Sequence, residues 1–262
     1  MSPFERAAVA GMAVTGALAF GTWLASLKQR DVSLVDRMWS LMIAAPAVAY
    51  AWVLDPPWNL RTVGMSALLA FWAVRLAIYV SWRNWGHGED RRYQVIRARN
   101  EPGFPIKSLV LIFLLQAVLA WLVSTPVLAI FTYDRAFDWI DGVGLALVLL
   151  GVVFEAVSDQ QLATFKGASA NTGRVMDRGL WRYTRHPNYF GEFCVWWGLF
   201  VMALPLGVWS LISPLIMTGL LLKVSGVALL EKDIGERRPA YRSYIERTSA
   251  FFPWPPKHGS RT

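Results

Sequence analysis

Residues Ser108–Phe131 read SLVLIFLLQAVLAWLVSTPVLAIF and include no charged side chain. An α-helix needs about 20 consecutive apolar residues to cross the hydrocarbon core of a bilayer, so this stretch predicts a transmembrane helix. Similar runs recur along the chain, which is 55% hydrophobic and only 17% charged over 262 residues. A soluble domain carries about 25% charged residues. We therefore predict an all-α membrane protein with about seven spans, at Phe4–Leu27, Ser33–Leu54, Val63–Trp82, Ser108–Phe131, Trp139–Ser158, Tyr189–Leu204 and Val208–Leu230.

The distribution of Lys and Arg predicts how these spans are oriented. The odd-numbered connections and the tail hold 20 of them, whereas the even-numbered connections hold only Arg61 and Arg135. Because cytoplasmic loops carry the excess of basic residues, we expect the N-terminus outside and the C-terminus in the cytoplasm. The net charge of +8 is then a topology signal. It indicates anionic membrane lipids as partners rather than nucleic acid.

The chain shows neither an internal repeat nor a linker, so we predict one transmembrane domain over residues 1–262. The single cysteine, Cys194, excludes an internal disulfide and a Cys-rich metal site. The histidines His87, His186 and His258 lie in separate segments without metal-ligand spacing, so no metal site is predicted. Nothing in the sequence indicates an obligate protein partner.

Polar side chains inside two predicted spans are candidates for function, because such groups are costly in a bilayer. The second span contains Asp36, one helical turn before Trp39. The third span contains Trp72, Arg75 and Tyr79 at the i, i+3, i+7 spacing of one helix face. A structural alternative is that Asp36 snorkels or pairs with its neighbour Arg37 and that Arg75 pairs with a carboxylate.

The connection before the sixth span concentrates polar groups. Residues 179–192 read GLWRYTRHPNYFGE, and Asn188 and Glu192 lie one turn apart on the predicted helix. Arg174 and Arg185 could hold phosphate oxygens through paired donors, and a helix N-terminus also favours anions. This pattern suits a phosphate-bearing, nitrogen-rich cofactor that enters from the cytoplasm. A basic loop followed by a capped helix is the structural alternative.

The third connection mixes the same residue types. Residues 83–93 read RNWGHGEDRRY, which is neither a phosphate P-loop nor a dinucleotide-binding glycine motif. An interfacial aromatic belt with snorkelling arginines would also explain this composition.

These motifs identify a family resemblance. The run at residues 179–192, preceded by Glu155, Asp159, Gln161, Phe165 and Lys166, resembles the steroid 5α-reductase superfamily. The whole chain is more closely similar to a bacterial branch of that superfamily long filed as a domain of unknown function. The stretches at residues 82–93 and 223–226 are typical of this branch. The motifs are specific for the superfamily and not for a substrate.

The resemblance implies seven membrane helices and NADPH-dependent reduction of the C4–C5 double bond of a 3-oxo-Δ4-steroid or similar lipidic enone. It implies location in the bacterial inner membrane. Residues 1–131 would mainly form the substrate pocket, and residues 132–262 would mainly bind the cofactor. The predicted cofactor residues are Tyr79, Arg83, Asn84, Asp90, Arg91, Tyr93, Asp159, Lys166, Arg174, Tyr183, Arg185, His186, Asn188, Glu192, Trp196 and Lys223.

The resemblance also points to catalytic residues. The superfamily activates the substrate carbonyl with a Glu and a Tyr, and the best matches to these positions are Asp36 and Trp72. We expect Asp36, protonated in an apolar site, to stabilise the developing enolate oxygen. Trp39 and Trp72 would orient the substrate. Lys166 replaces a family Arg, and Glu155 stands where the steroid enzymes have an Asn.

Two other functions remain open at this point. Membrane methyltransferases that use S-adenosylmethionine also carry an Arg-His-Pro followed by a Tyr and a Gly. They usually add a Glu-Glu pair near the C-terminus, where this chain reads LEKD at residues 230–233. The other alternative is a sterol- or lipid-binding membrane protein without turnover.

Overall fold

A computed structural model describes residues 1–224, 226–231, 234–237 and 239–257. The described chain is helical and contains no β-strand, which confirms the all-α prediction. Lys232 and Asp233 of the LEKD string lie outside the described residues, as does His258.

Five helical segments are long and apolar enough to cross a membrane. They match the first five predicted spans, so the chain has the character of a multi-pass membrane protein. The segments that correspond to the sixth and seventh predictions are shorter. Pro187–Ala203 has 17 residues, about 26 Å at 1.5 Å per residue, against a hydrocarbon core of about 30 Å. Seven spans and their orientation therefore stay a prediction.

The bounds of the elements are as follows. The α-helices of the described chain are α1 (Pro3–Gln29), α2 (Leu34–Ala44), α3 (Pro46–Leu54), α4 (Leu60–Arg83), α5 (Arg91–Asn100), α6 (Phe104–Ser108), α7 (Leu115–Val123), α8 (Thr125–Thr132), α9 (Trp139–Gly167), α10 (Pro187–Ala203), α11 (Ile212–Gly219), α12 (Val227–Glu231), α13 (Ile234–Arg237) and α14 (Ala240–Arg247). Short 3₁₀ turns lie at Ser169–Asn171, Gly179–Arg182 and Val208–Leu211, and π-helical turns at Leu109–Leu114 and Leu220–Val224.

The described chain divides into two compact units. The first unit comprises Met1–Asp141 and Met202–Ser213, and the second comprises Gly142–Val201 and Pro214–Thr262. The predicted assignment of substrate to residues 1–131 and cofactor to residues 132–262 is a functional statement and stays a prediction.

In the first unit, α1 packs against α3 and α7, and α2 packs against α4. A hydrogen bond of 2.8 Å from the Ser40 hydroxyl to the Ala73 carbonyl joins α2 to α4. A glycine is required at position 11 of α1 because the Tyr50 ring packs against it, and a Cβ there would lie 2.2 Å from that ring. The sequence placed Arg61 in a connection between spans, but the structure places it in α4. It is fully buried in the first turn of α4 and donates to the Tyr133 carbonyl.

In the second unit, α9 and α10 approach each other through glycines. A Cβ on Gly191 would lie 2.6 Å from the backbone nitrogen of Glu155, and one on Gly198 would lie 2.7 Å from the Gly144 carbonyl. A side chain at either position would force the helices apart. Glu155 and Asp159 of α9 and Glu192 of α10 are buried.

Candidate functional site

A buried tyrosine and an aspartate form the centre of the polar group in the first unit. The Tyr93 hydroxyl donates a hydrogen bond of 2.6 Å to Asp36 Oδ1. It also accepts one of 3.3 Å from the Gln116 amide of α7. Tyr93 is only 7% exposed. Burial raises the pKa of the Tyr93 phenol, and the Asp36 carboxyl raises it further, so the phenol keeps its proton at neutral pH.

Arg92 completes this group, which we call the Asp36–Tyr93 cluster and define as Asp36, Asp90, Arg92, Tyr93 and Gln116. The Arg92 guanidinium donates to Asp36 Oδ2 at 2.8 Å and to Asp90 Oδ1 at 3.0 Å. Asp90 is the N-cap of α5 and accepts the backbone N–H of Arg92. Both carboxyl oxygens of Asp36 therefore accept hydrogen bonds, and its expected role as a protonated acid stays a prediction. Tyr93 carries a hydroxyl proton that points at this carboxyl group.

The alternative pairing of Asp36 with Arg37 is wrong. Arg37 instead lies 3.6 Å from Asp31 and donates to the Asn84 carbonyl at 3.3 Å. Asp36 and Arg37 point in different directions because adjacent residues on a helix lie about 100° apart.

The connection that leads into α5, the helix of Tyr93, is hydrogen-bonded to the turn before α2. Glu89 accepts two hydrogen bonds from Arg97, of 2.7 and 2.9 Å, and one of 3.0 Å from the backbone N–H of Val32. Burial alone would raise the pKa of Glu89, but these hydrogen bonds lower it. The Asp90 N–H also donates to Ser33. These contacts hold α5 so that Tyr93 reaches Asp36.

Trp72 and Trp39, the predicted substrate residues, lie on the neighbouring helices α4 and α2. Trp72 is fully buried, and Trp39 is partly exposed. Since Ser40 bonds to Ala73, Trp72 lies near the level of Ser40. Asp36 is four residues before Ser40, so Trp72 is displaced from it by about one helical turn, or about 6 Å along the axis.

The remaining predicted cofactor residues of the first unit occupy the end of α4 and the start of α5. Arg83 donates to the Asn84 side chain at 3.2 Å, and its guanidinium carbon lies 5.7 Å from the centre of the Tyr79 ring. Arg91 is exposed in the first turn of α5. Their role toward a cofactor stays a prediction.

In the second unit, Arg185 and His186 bind a glutamate that the sequence did not single out as their partner. Arg185 donates to both carboxyl oxygens of Glu231, at 2.7 and 2.8 Å, and His186 Nε2 lies 2.9 Å from Glu231 Oε1. Burial alone would raise the pKa of Glu231. The hydrogen bonds from His186 and Arg185 and the charge of Arg185 outweigh burial and lower it to about 2.

The same loop holds the C-terminal segment. The third nitrogen of Arg185 donates to the carbonyls of Ile245 and Thr248. The Thr184 hydroxyl donates to the Phe251 carbonyl at 2.8 Å, and the Tyr244 hydroxyl donates to the Trp181 carbonyl. All three guanidinium nitrogens of Arg185 are therefore engaged within the protein. This arrangement gives Arg185 a structural role and leaves it poorly suited to hold a phosphate.

Acidic and basic groups of the second unit suit a dinucleotide in their chemistry. Glu155, Asp159 and Glu192 are buried, and carboxylates accept hydrogen bonds from amides and ribose hydroxyls. Arg174 and Lys166 are exposed and can meet phosphates. Further predicted residues lie in the same unit, with Trp196 fully buried, Asn188 partly buried, and Tyr183 and Lys223 exposed. The residues present therefore fit NADPH by donor and acceptor type.

Sequence reasoning missed three residues that these clusters contain. Gln116 had a signal, because it is an isolated amide within an apolar run. Arg92 and Glu231 were noted only within longer runs, because their roles depend on partners that are 56 and 46 residues away. No group of three His, Cys, Asp or Glu side chains that could hold a metal occurs in the described part of the chain.

Two matches to known protein sequences each cover most of the chain. A family model described as "Protein of unknown function (DUF1295)" matches residues 22–248. The chain is similar to a Schizosaccharomyces pombe protein named "Uncharacterized protein C594.04c". The two are 25% identical over 276 residues, which cover 94% of this chain and 79% of the yeast protein. No solved structure matches the chain.

Proposed function

Because the chain belongs to the DUF1295 family, which is related to the steroid 5α-reductase superfamily, we propose that it is an NADPH-dependent ene reductase of the membrane. Its substrate would be a 3-oxo-Δ4-steroid or a similar lipidic enone, reduced at the C4–C5 double bond. The bacterial inner membrane is the location that we propose, with the basic connections on the cytoplasmic side.

The observation that carries this proposal is the buried hydrogen bond between Tyr93 and Asp36. A phenol held by a carboxylate and by Gln116 beside apolar helices is a costly arrangement in a membrane protein. It is also the chemistry needed to polarise an enone oxygen. Superfamily members use a Glu and a Tyr for this purpose, and this chain supplies Asp36 and Tyr93. In this proposal Tyr93 takes the role that the sequence had given to Trp72.

Each member of the cluster has a distinct task in the proposal. In the resting protein the Tyr93 hydroxyl donates to Asp36 Oδ1. With substrate bound it would turn to the enone oxygen, on which negative charge develops in the transition state, and donate its proton there. The phenolate left behind would take up a proton from water. Asp36 and Gln116 fix the phenol in place. Arg92, whose guanidinium carbon lies 5.6 Å from the centre of the Tyr93 ring, favours negative charge nearby. Trp39 and Trp72 supply apolar surface for the substrate.

NADPH, when bound, supplies the hydride that adds to the β-carbon of the enone. Arg174 and Lys166 would hold its phosphates, and the buried carboxylates Asp159 and Glu192 would accept hydrogen bonds from its amide and hydroxyl groups. The surplus of exposed arginines predicts a preference for NADPH over NADH. Arg185 and His186, which were in the predicted cofactor set, instead support the loop that carries these groups.

The experiment is a spectrophotometric assay on the purified protein. NADPH and a 3-oxo-Δ4-steroid are added together, and absorbance at 340 nm is followed, with S-adenosylmethionine in a parallel reaction. A steroid-dependent loss of absorbance supports the reductase. Methyl transfer without NADPH oxidation would identify a methyltransferase, and steroid binding without turnover would identify a binding protein. Either of these results would overturn the proposal.

A further inference from the structure

The second unit contains a cleft that the proposed function does not use. Its volume is about 480 Å³, and its charged lining consists of Arg178, Arg182, Arg247 and Lys257 with one carboxylate, Asp177. Arg247 forms an ion pair with Asp177, which leaves an excess of positive charge from the other three side chains. None of these five residues belongs to the predicted cofactor set.

Backbone hydrogen bonds fix the walls of the cleft. The Lys257 N–H donates to the Arg247 carbonyl at 2.9 Å, and the Trp254 N–H donates to the Tyr183 carbonyl at 2.9 Å. Arg178 precedes the 3₁₀ turn Gly179–Arg182, and Arg182 is its last residue. The Leu180 N–H of this turn donates a 3.0 Å hydrogen bond to the Gln161 side chain. The cationic groups are therefore mounted on an ordered backbone, so an anion could be bound with little ordering cost.

Aromatic side chains of the same C-terminal segment are exposed. Residues 251–256 read FFPWPP, in which Phe252 is 58% and Trp254 is 71% exposed. The centre of the Phe252 ring also lies 5.7 Å from the centre of the Phe193 ring on α10. Exposed Trp and Phe next to basic residues are typical of a membrane–water interface, where aromatic rings lie at the level of the lipid headgroups.

We propose that this cleft binds the phosphate of an anionic phospholipid headgroup. The excess positive charge matches a phosphodiester, and the planar Arg178 and Arg182 guanidinium groups can bind phosphate oxygens through two donors each. Trp254 and Phe252 lie in the headgroup region beside the cleft. A zwitterionic headgroup is disfavoured, because its ammonium group is repelled by the same cations. This inference does not depend on the reductase activity.

The test measures lipid binding to the purified full-length chain in a non-ionic detergent. The unfolding temperature is recorded while phosphatidylglycerol, phosphatidylcholine or inorganic phosphate is added, and native mass spectrometry counts the lipids retained. We expect phosphatidylglycerol to raise the unfolding temperature and to be retained, whereas phosphatidylcholine and inorganic phosphate have no such effect.

Two sets of variants with equal charge change locate the site. Arg178→Gln, Arg182→Gln and Lys257→Gln combined should weaken phosphatidylglycerol binding at least tenfold. Lys28→Gln, Arg30→Gln and Arg99→Gln combined, all exposed in the first unit, should leave it unchanged. All six side chains are exposed. Trp254→Ala is a further variant, which should weaken the retention of phosphatidylglycerol without removing charge.

Three results would overturn the proposal. Equal retention of phosphatidylcholine would show unselective lipid contact. Full stabilisation by inorganic phosphate would show a site for a soluble anion. An equal loss of binding in both sets of variants would show an effect of net charge rather than of this cleft.

Discussion

The Tyr93 hydroxyl lies 2.6 Å from Asp36 Oδ1, although the two residues are 57 positions apart in the sequence. Asp36 is in the first turn of α2, and Tyr93 is in the first turn of α5. Their contact places a proton donor of raised pKa against an acceptor that can hold it in one orientation. The predictions for catalysis follow from this pair.

Tyr93→Phe should lower enone turnover, because it removes the proposed proton donor and keeps the ring. General acid catalysis contributes about 10²–10⁴-fold, so a loss in that range is expected at saturating NADPH. Tyr133→Phe is the matched control, since Tyr133 is 47% exposed and lies outside the cluster. Single-turnover NADPH oxidation measures the rate, and a thermal melt checks folding. A folded Tyr93→Phe protein that is as fast as the parent would remove Tyr93 from the mechanism.

Asp36→Asn should keep the fold and NADPH binding but lower turnover, because the amide holds the phenol less firmly than the carboxylate does. Residues that act as a unit give non-additive effects. The double variant Asp36→Asn with Tyr93→Phe should therefore be no slower than Tyr93→Phe alone. The measurement is the same single-turnover rate in all four proteins. Multiplication of the two single effects would show that Asp36 and Tyr93 act independently.

Arg185→Gln and Arg174→Gln should affect different properties. Arg185→Gln leaves the partly buried Glu231 carboxylate with a weaker partner and removes the hydrogen bonds to the Ile245 and Thr248 carbonyls. We expect a clearly lower unfolding temperature. Arg174→Gln changes an exposed side chain, so it should weaken NADPH binding and leave the unfolding temperature unchanged. Calorimetry and thermal melts distinguish the two, and a reversed pattern would contradict both assignments.

The stabilising effect of Glu231 should depend on pH. Its pKa is about 2 in the folded protein against an ordinary 4.5. A lowered pKa stabilises the folded state above the unfolded-state pKa, and this contribution is lost as the pH falls through the folded-state value. The difference in unfolding temperature between the parent and Glu231→Gln should thus be constant above pH 4.5 and shrink from pH 4.5 toward 2. Glu246→Gln, at an exposed position, is the control. A difference that does not change with pH would contradict the assigned ion pair.

The sequence predicted the long spans well because a bilayer imposes a simple rule on length and polarity. The apolar run at residues 108–131 corresponds to the helical segment Phe104–Thr132, and four further predicted runs also correspond to long apolar helical segments. The same rule could not decide the later segments. Pro187–Ala203 and Val208–Val224 are apolar but fall short of the length that a span requires.

The clusters were less predictable because they depend on distant partners. The sequence marked Asp36 as a buried acid, yet the fold of the connection after α4 decides that its partners are Arg92 and Tyr93 instead of Arg37. Likewise, the motif at residues 179–192 marked Arg185 as important. Its role became clear only through Glu231, whose carboxyl group takes up the donors that a phosphate would need.

Transfer of deuterium from the cofactor tests the central claim most directly. The purified protein is incubated with NADPH that carries deuterium at C4 of the nicotinamide, in each of the two stereochemical forms, and with a 3-oxo-Δ4-steroid. The steroid product is then examined by mass spectrometry and NMR. The proposal predicts one deuterium at C5 of a 4,5-reduced product, delivered from one stereochemical form only and absent with Tyr93→Phe in the same reaction time. A product without deuterium at C5, or an unreduced steroid in the presence of folded protein and bound NADPH, would contradict it.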